Sequence, residues 1–112
     1  MDDDWPYLYK AKITRVIDGD TVEASVDLGF SVCINQKLRL KGINAPEMRD
    51  KPAGPNAREY LAGMVEGREI NVRTHRDRTG KYGRYIATLY CPNNLNINKK
   101  MVENGHAEYR EY

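Results

Sequence analysis

Tyr9-Lys10-Ala11-Lys12-Ile13-Thr14-Arg15-Val16-Ile17-Asp18-Gly19-Asp20-Thr21-Val22-Glu23-Ala24-Ser25-Val26 is the stretch whose reading decides the fold. Tyr9, Ala11 and Ile13 share one face at period two, while Lys10 and Lys12 take the other. Past the tight Asp18-Gly19-Asp20 turn, Val22, Ala24 and Val26 repeat the pattern. Two alternating runs joined by an Asp-Gly turn predict an antiparallel hairpin with one buried face. Working outward, Gly29 marks a second turn, and Val32, Ile34, Leu38 and Leu40 predict a third strand.

Ala45 to Pro55 reads as loop, because Pro46, Pro52, Gly54 and Pro55 fall within it. A helix follows, with Pro55 in its first turn. Ala57, Tyr60, Leu61, Met64 and Val65 recur at i, i+3, i+4, i+7 and i+8, and Gly67 closes the helix at C′. Strands are predicted near Glu69–Thr74 and Arg84–Cys91, with the charged loop Thr79-Gly80-Lys81-Tyr82-Gly83 between them. A short last helix is expected from an Asn98 N-cap to Gly105. The order is three strands, helix, two strands, helix. That is the order of a five-stranded OB-fold Greek-key barrel with a helix between strands three and four, an α+β domain.

At 112 residues the chain is long enough for one core only. Residues 7–112 are read as that domain, with 1–6, including Trp5 and three Asp, as a flexible start. Its apolar runs are too short to span a membrane as a helix, so no membrane partner is expected. The N-terminus is acidic where a signal peptide would be basic. A cytoplasmic chain is therefore expected, with secretion after removal of a leader as the alternative. Cys33 and Cys91 lack metal-ligand spacing and read as packing residues within apolar strands, or as a pair in an exported protein.

Formal net charge is only +2, but its distribution is uneven. Arg68, Arg73, Arg76, Arg78, Lys81 and Arg84 face only Glu69 and Asp77 within one stretch. Such a stripe fits either a polyanion site or a solvated charged surface. Asp18-Gly19-Asp20 is either a plain turn or a pair of hard oxygen ligands for a divalent ion. Arg39, between Leu38 and Leu40, is expected to face away from the core. Glu47 follows Pro46 in a loop, and Arg84 precedes the aromatic strand. Taken together, a metal ligand, an acid/base carboxylate and two guanidiniums are the parts that phosphodiester cleavage needs. His75 and His106 carry no motif and read as surface or filling residues.

Val16-Ile17-Asp18-Gly19-Asp20-Thr21-Val22, Leu38-Arg39-Leu40, Asn44-Ala45-Pro46-Glu47, Gly54-Pro55 and Lys81-Tyr82-Gly83-Arg84 resemble, in order and spacing, the staphylococcal nuclease-like proteins. Met101 to Ala107 resembles that family's closing helix. The resemblance implies a calcium-dependent nuclease, other divalent ions being possible, that cuts DNA or RNA by in-line attack of water and leaves 3′-phosphate ends. It assigns Asp20 as the principal metal carboxylate, Asp18 as a carboxylate acting through water, and Asn44 and the Ala45 carbonyl as further ligands. Glu47 matches the general base. Arg39 and Arg84 match the phosphate-holding arginines, and Lys81 and Tyr82 contact a terminal phosphate. Tyr109 and Tyr112 lie where family tyrosines flank the base, and packing or exposure is the other reading of both.

The family's best-known member has Asp and Thr in place of Asn44 and Ala45, so one formal negative charge is missing and weaker ion binding is expected. Single-stranded substrate and a monomeric protein are expected. The alternative is an OB module that binds single-stranded nucleic acid without cutting it. Retention of Asp20, Arg39, Glu47 and Arg84 together favours catalysis, because a binder has no need of the whole charge set.

Overall fold

The computed structural model describes residues 7–79 and 85–110, with the backbone alone over 76–79. Strand β1 (Leu8–Asp18) turns at Gly19-Asp20 into β2 (Thr21–Asp27), with Asp18 opposite Thr21 and Ala11 opposite Val26. The second turn leads to β3 (Cys33–Leu40), antiparallel to β2. A two-residue strand β4 (Ile43–Asn44) and helix α1 (Ala53–Val65) come next. Then follow β5 (Glu69–Thr79), β6 (Tyr85–Tyr90), helix α2 (Ile97–Glu103) and β7 (Glu108–Tyr109). The five long strands close in the order β1-β2-β3-β6-β5, and β4 pairs separately with β7. The expected OB-type barrel, with its helix between the third and fourth barrel strands, is present.

Alternation produces the core. Ala11, Ile13, Val16, Val22, Ala24, Val26, Leu38, Leu40, Ile70, Val72, Ala87 and Leu89 are all buried, each two residues from the next on its strand except where Thr14-Arg15 separates Ile13 from Val16. The long β1 serves two neighbours because its pairing with β2 slips between Ile13 and Arg15 and between Val16 and Asp18. Such slips bend a strand and let it wrap. Where the ladder breaks, the Val16 N–H donates to Glu66 Oε2 at 2.8 Å, so the end of α1 satisfies a donor the sheet has released. Gly67, at φ +78°, then turns the chain, and its N–H donates to the Ile13 carbonyl. The strand to come thereby starts beside β1.

Three sequence expectations need correction. Helix α2 is capped by Asn96, whose side chain accepts from the Lys99 N–H at 3.0 Å. Asn98, the expected cap, is instead buried. It accepts from the Leu89 N–H and donates to the carbonyls of Lys41 and Ala87 at 3.1, 3.0 and 3.1 Å. Asn96 and Asn98 are both good capping residues, so chemistry alone could not choose between them. Cys33 is exposed and Cys91 half-buried against the core, and both thiols are free. Cys33 fails as a packing residue because it sits on the outer face of β3, near the hairpin tip. Val32 and Ile34 are also exposed: Val32 precedes β3, and Ile34 lies at the open end of the barrel, beside a cavity of about 260 Å³ lined by Tyr9, Val26, Leu38 and Thr74.

Candidate active site at the barrel end

The β1–β2 turn is pressed into place by small residues. A side chain at Gly19 would put its Cβ 2.7 Å from the Ala45 Cβ and 2.8 Å from the Ala57 Cβ. Glycine there lets the turn lie flat against the start of α1 and the strand that carries Asn44. The turn is also tied to β3, since the Leu40 N–H donates to the Asp20 carbonyl at 2.8 Å.

Around this junction the polar side chains converge. Asp20 is only 7% exposed, and its Oδ2 accepts from the Ala45 N–H at 2.9 Å. The Thr21 hydroxyl donates to Asp20 Oδ1 at 3.1 Å. Arg39 Nη1 lies 3.3 Å from Asp20 Oδ2, and Arg39 Nη2 donates to Asn44 Oδ1 at 3.4 Å. Arg39 leaves the barrel interior as expected, but it is not a surface charge. It is 8% exposed, because β4 and the β1–β2 turn close over it. A buried guanidinium needs a partner anion, and Asp20 supplies it.

Asp18 accepts the Asp20 N–H at 3.1 Å. Burial first, and then the neighbouring Asp20 carboxylate, push its pKa up to about 6. The site thus holds two carboxylates close enough to repel, balanced in part by one arginine.

Glu47 stands differently. It is exposed, and its carboxylate pairs with Arg49 at 2.7 Å. An exposed pair of this kind is held by only about 0–1 kcal/mol, so Glu47 is released at little cost. Its backbone is more constrained. Gly54, buried in the first turn of α1, packs so tightly on the Glu47 carbonyl that a Cβ there would collide with it. The Asp50 N–H donates to that carbonyl at 2.9 Å and the Gly54 N–H to the Asp50 carbonyl at 2.7 Å, making one compact corner from loop and helix.

Asp18, Asp20, Arg39, Asn44 and Ala45 are therefore brought together. Tyr109 lies in the same short ladder as Asn44, with Ile43 opposite Tyr109 and Asn44 opposite Glu108, and its side chain is exposed. Arg84, Lys81, Tyr82, Tyr112 and residues 1–6 lie outside the described residues. Tyr85, the first residue of β6, pairs with Leu38 beside Arg39. The sequence placed Gly19 in a turn and Thr21 and Gly54 within motifs, but gave none of the three a contact in the site. Two glycines flanking a charge set were the available signal, since close backbone approach demands them. His106 stacks on Tyr60 with ring centroids 4.4 Å apart.

The model of the family described as staphylococcal nuclease homologue matches residues 37–112. An uncharacterized endonuclease of Escherichia coli is 34% identical over 113 residues, covering 96% of this chain and 68% of that protein. A probable staphylococcal-like nuclease of Oryza sativa subsp. japonica is 35% identical over 71 residues, 63% of this chain. A thermonuclease of Staphylococcus hyicus is 26% identical over 106 residues, covering 90% of this chain and 59% of that protein. The chain spans only 18% of the rice relative's length. With the barrel and the ordered motifs, these matches lead to one conclusion: the chain belongs to the staphylococcal nuclease homologue family.

Proposed function

We propose that this domain is a divalent-metal-dependent nuclease that hydrolyses phosphodiester bonds of DNA or RNA. One observation carries the reading. A single buried guanidinium, that of Arg39, reaches both the carboxylate of Asp20 and the amide oxygen of Asn44. Positive charge is thus stored beside hard oxygen ligands, which a purely structural barrel has no reason to bury.

The donor set suits a hard cation. Asp20 Oδ2 and Asn44 Oδ1 converge within the span of one guanidinium, and Asp18 adds a second carboxylate whose pKa is raised beside Asp20. Oxygen ligands suit hard divalent ions, and the family resemblance selects Ca²⁺ among them, with Asp20 and Asn44 as direct ligands, the Ala45 carbonyl as a third, and Asp18 acting through water. When bound, the ion would neutralise the phosphate and polarise it toward attack. The residues of the chain do the rest. Arg39 and Arg84 hold the phosphate oxygens, and their planar forks match the charge that grows there. Glu47, released from Arg49, takes the proton of the attacking water. Lys81 and Tyr82 hold a terminal phosphate, and Tyr109 and Tyr112 flank the base. Attack is in line: the water oxygen bonds to phosphorus as the P–O5′ bond breaks, leaving a 3′-phosphate and a 5′-hydroxyl that takes up a proton. The substrate is single-stranded, taken by a monomer.

The test is digestion of single-stranded DNA and RNA with Ca²⁺ and with a chelator, followed by identification of the product ends. Cleavage is expected only with Ca²⁺, and Arg39→Ala should lose about 10²–10³-fold in rate. Undiminished cutting in chelator would remove the metal from the reading. Binding without cutting in Ca²⁺, Mg²⁺ or Mn²⁺ would make the domain a single-strand binding module instead.

A further inference from the structure

A second cluster of basic side chains lies on the outer face of the barrel, beyond Arg39. On β5 the buried residues are Ile70 and Val72, so Arg73 and His75 do not share the alternation of the core. Arg73 is the cross-strand partner of Thr88 on β6. Lys41 follows directly after β3, and its N–H extends that pairing by donating to the Ala87 carbonyl at 2.7 Å. The end of β3 and strand β5 therefore deliver Lys41, Arg73 and His75 to the neighbourhood of one hydroxyl on β6, that of Thr88.

Two hydrogen bonds link Lys41, His75 and Thr88 in a row. Lys41 Nζ lies 3.4 Å from His75 Nδ1, and His75 Nε2 lies 2.9 Å from Thr88 Oγ1. An ammonium can only donate, so Nδ1 accepts. In the neutral imidazole Nε2 then carries the proton and donates to Thr88, whose own O–H remains a donor. Arg73 Nε is buried and has no hydrogen-bond partner among the described residues. A buried donor in that state costs about 1–3 kcal/mol until an acceptor arrives. No described carboxylate pairs with Lys41 or Arg73, although Arg15, Arg39, Arg49 and Arg58 all have acidic partners. Lys41 and Arg73 thus bring donors and positive charge to this face with no carboxylate among the described residues to balance them. That is the chemistry of an anion site, and it is best matched by a phosphate, which takes several donors at once.

Its position names the source of the phosphate. Arg39 pairs across the β3–β6 seam with Ile86, and Lys41 lies two residues on beside Ala87. Two residues along a strand advance about 6.6 Å, a separation that neighbouring phosphates of one extended nucleic-acid strand can bridge.

We propose that Lys41, Arg73, His75 and Thr88 form a second phosphate subsite, which holds the backbone of a single strand one step beyond the phosphate at Arg39. The identity of the strand as substrate rests on the nuclease reading above, whereas the anion site itself rests on the cluster. The subsite positions long substrates and does not touch the reacting atoms.

The experiment uses the whole chain. First, cleavage in Ca²⁺ is compared for a dinucleotide, which has one bridging phosphate, and for a ten-nucleotide strand. Lys41→Gln/Arg73→Gln should raise KM for the ten-mer roughly tenfold more than for the dinucleotide, with the effect in KM and not in kcat. Second, anisotropy with a fluorescein-labelled ten-nucleotide oligothymidylate is followed in chelator, where no cutting is needed. There the double variant should bind about tenfold more weakly, and its plot of log affinity against log salt should be shallower by about 1.4 for two lost contacts. Lys41→Arg/Arg73→Lys, which keeps both charges, should restore most of the affinity. Equal effects on both substrates, an unchanged salt slope, or no rescue by the charge-keeping variant would overturn the subsite. A wild-type protein that binds the oligonucleotide with this pattern but never cuts would overturn the nuclease reading and leave the subsite standing.

Discussion

Asp18 shows how much of the site's behaviour is set by a single side chain. Its pKa is raised to about 6 from an ordinary 3.8, by burial and then by Asp20. A carboxyl with a raised folded pKa contributes stability that is fully present below about pH 3.8 and is lost as pH rises through about 6. Without metal at neutral pH, Asp18 is therefore a burden on the fold. Asp18→Asn keeps an oxygen for the Asp20 N–H and removes the repulsion. In chelator at pH 7.5 it should stabilise the protein by on the order of 1 kcal/mol, discounted because the side chain is partly exposed. Denaturant melts should show this gain shrinking as pH approaches 4. A gain independent of pH would mean that ionisation of Asp18 is not its cause. Arg39 is the counterweight: the sequence showed an arginine between two leucines, and only burial against Asp20 makes it a stored charge.

At the scale of elements, the contact between the Glu47 loop and helix α1 decides whether the proposed base is in place. Gly54 has no room for a side chain against the Glu47 backbone, whereas Gly63, in the same helix, has nothing within 4 Å of its would-be Cβ. Gly54→Ala must push the loop away, at about 1–3 kcal/mol of overpacking. It should lower cleavage at least tenfold at temperatures where the protein is still folded. Gly63→Ala removes unfolded-chain entropy at a tolerant helical position and should raise stability by about 0.4–1 kcal/mol. Paired melts and rate measurements check both, and wild-type cleavage by Gly54→Ala would detach the loop from catalysis. The Gly54-Pro55 motif was legible as sequence, but its partner was not, since Glu47 meets Gly54 only when the loop folds back onto the helix.

For the whole molecule, closure of the barrel is the decisive event, and its weakest seam is the parallel one. Among the described residues β3 and β6 share only the pairs Leu38–Tyr85, Arg39–Ile86 and Leu40–Ala87. Beyond them Asn98 stitches the gap, taking the Leu89 N–H and giving protons to the Lys41 and Ala87 carbonyls. Asn98→Ala leaves the buried Leu89 N–H without that acceptor and takes one donor each from the Ala87 and Lys41 carbonyls, and should cost about 1–3 kcal/mol in urea melts. Asn98→Asp keeps the acceptor but turns a negative charge toward two carbonyls, and should cost more. The opposite order would show that Asn98 acts through packing and not through its donors.

What the sequence determined by itself is the part that near neighbours dictate. Period-two runs around Asp18-Gly19-Asp20, a helical stripe from Ala57 to Val65 and the left-handed Gly67 each depend on a few adjacent residues, and together they specified strand order, helix and barrel. The charge set of Asp20, Arg39, Asn44 and Glu47 was legible for the same reason, as ordered motifs. Tertiary structure alone decided where polar groups meet. Arg39 is buried because the turn carrying Asp20 and the strand carrying Asn44 close over it. Cys33 faces out, and Asn98 leaves its cap for a seam joining residues 41, 87 and 89. Lys41, Arg73, His75 and Thr88 become one cluster through the pairing of three strands. Such meetings depend on which distant backbones share a ladder, and barrel closure sets that register where local periodicity cannot.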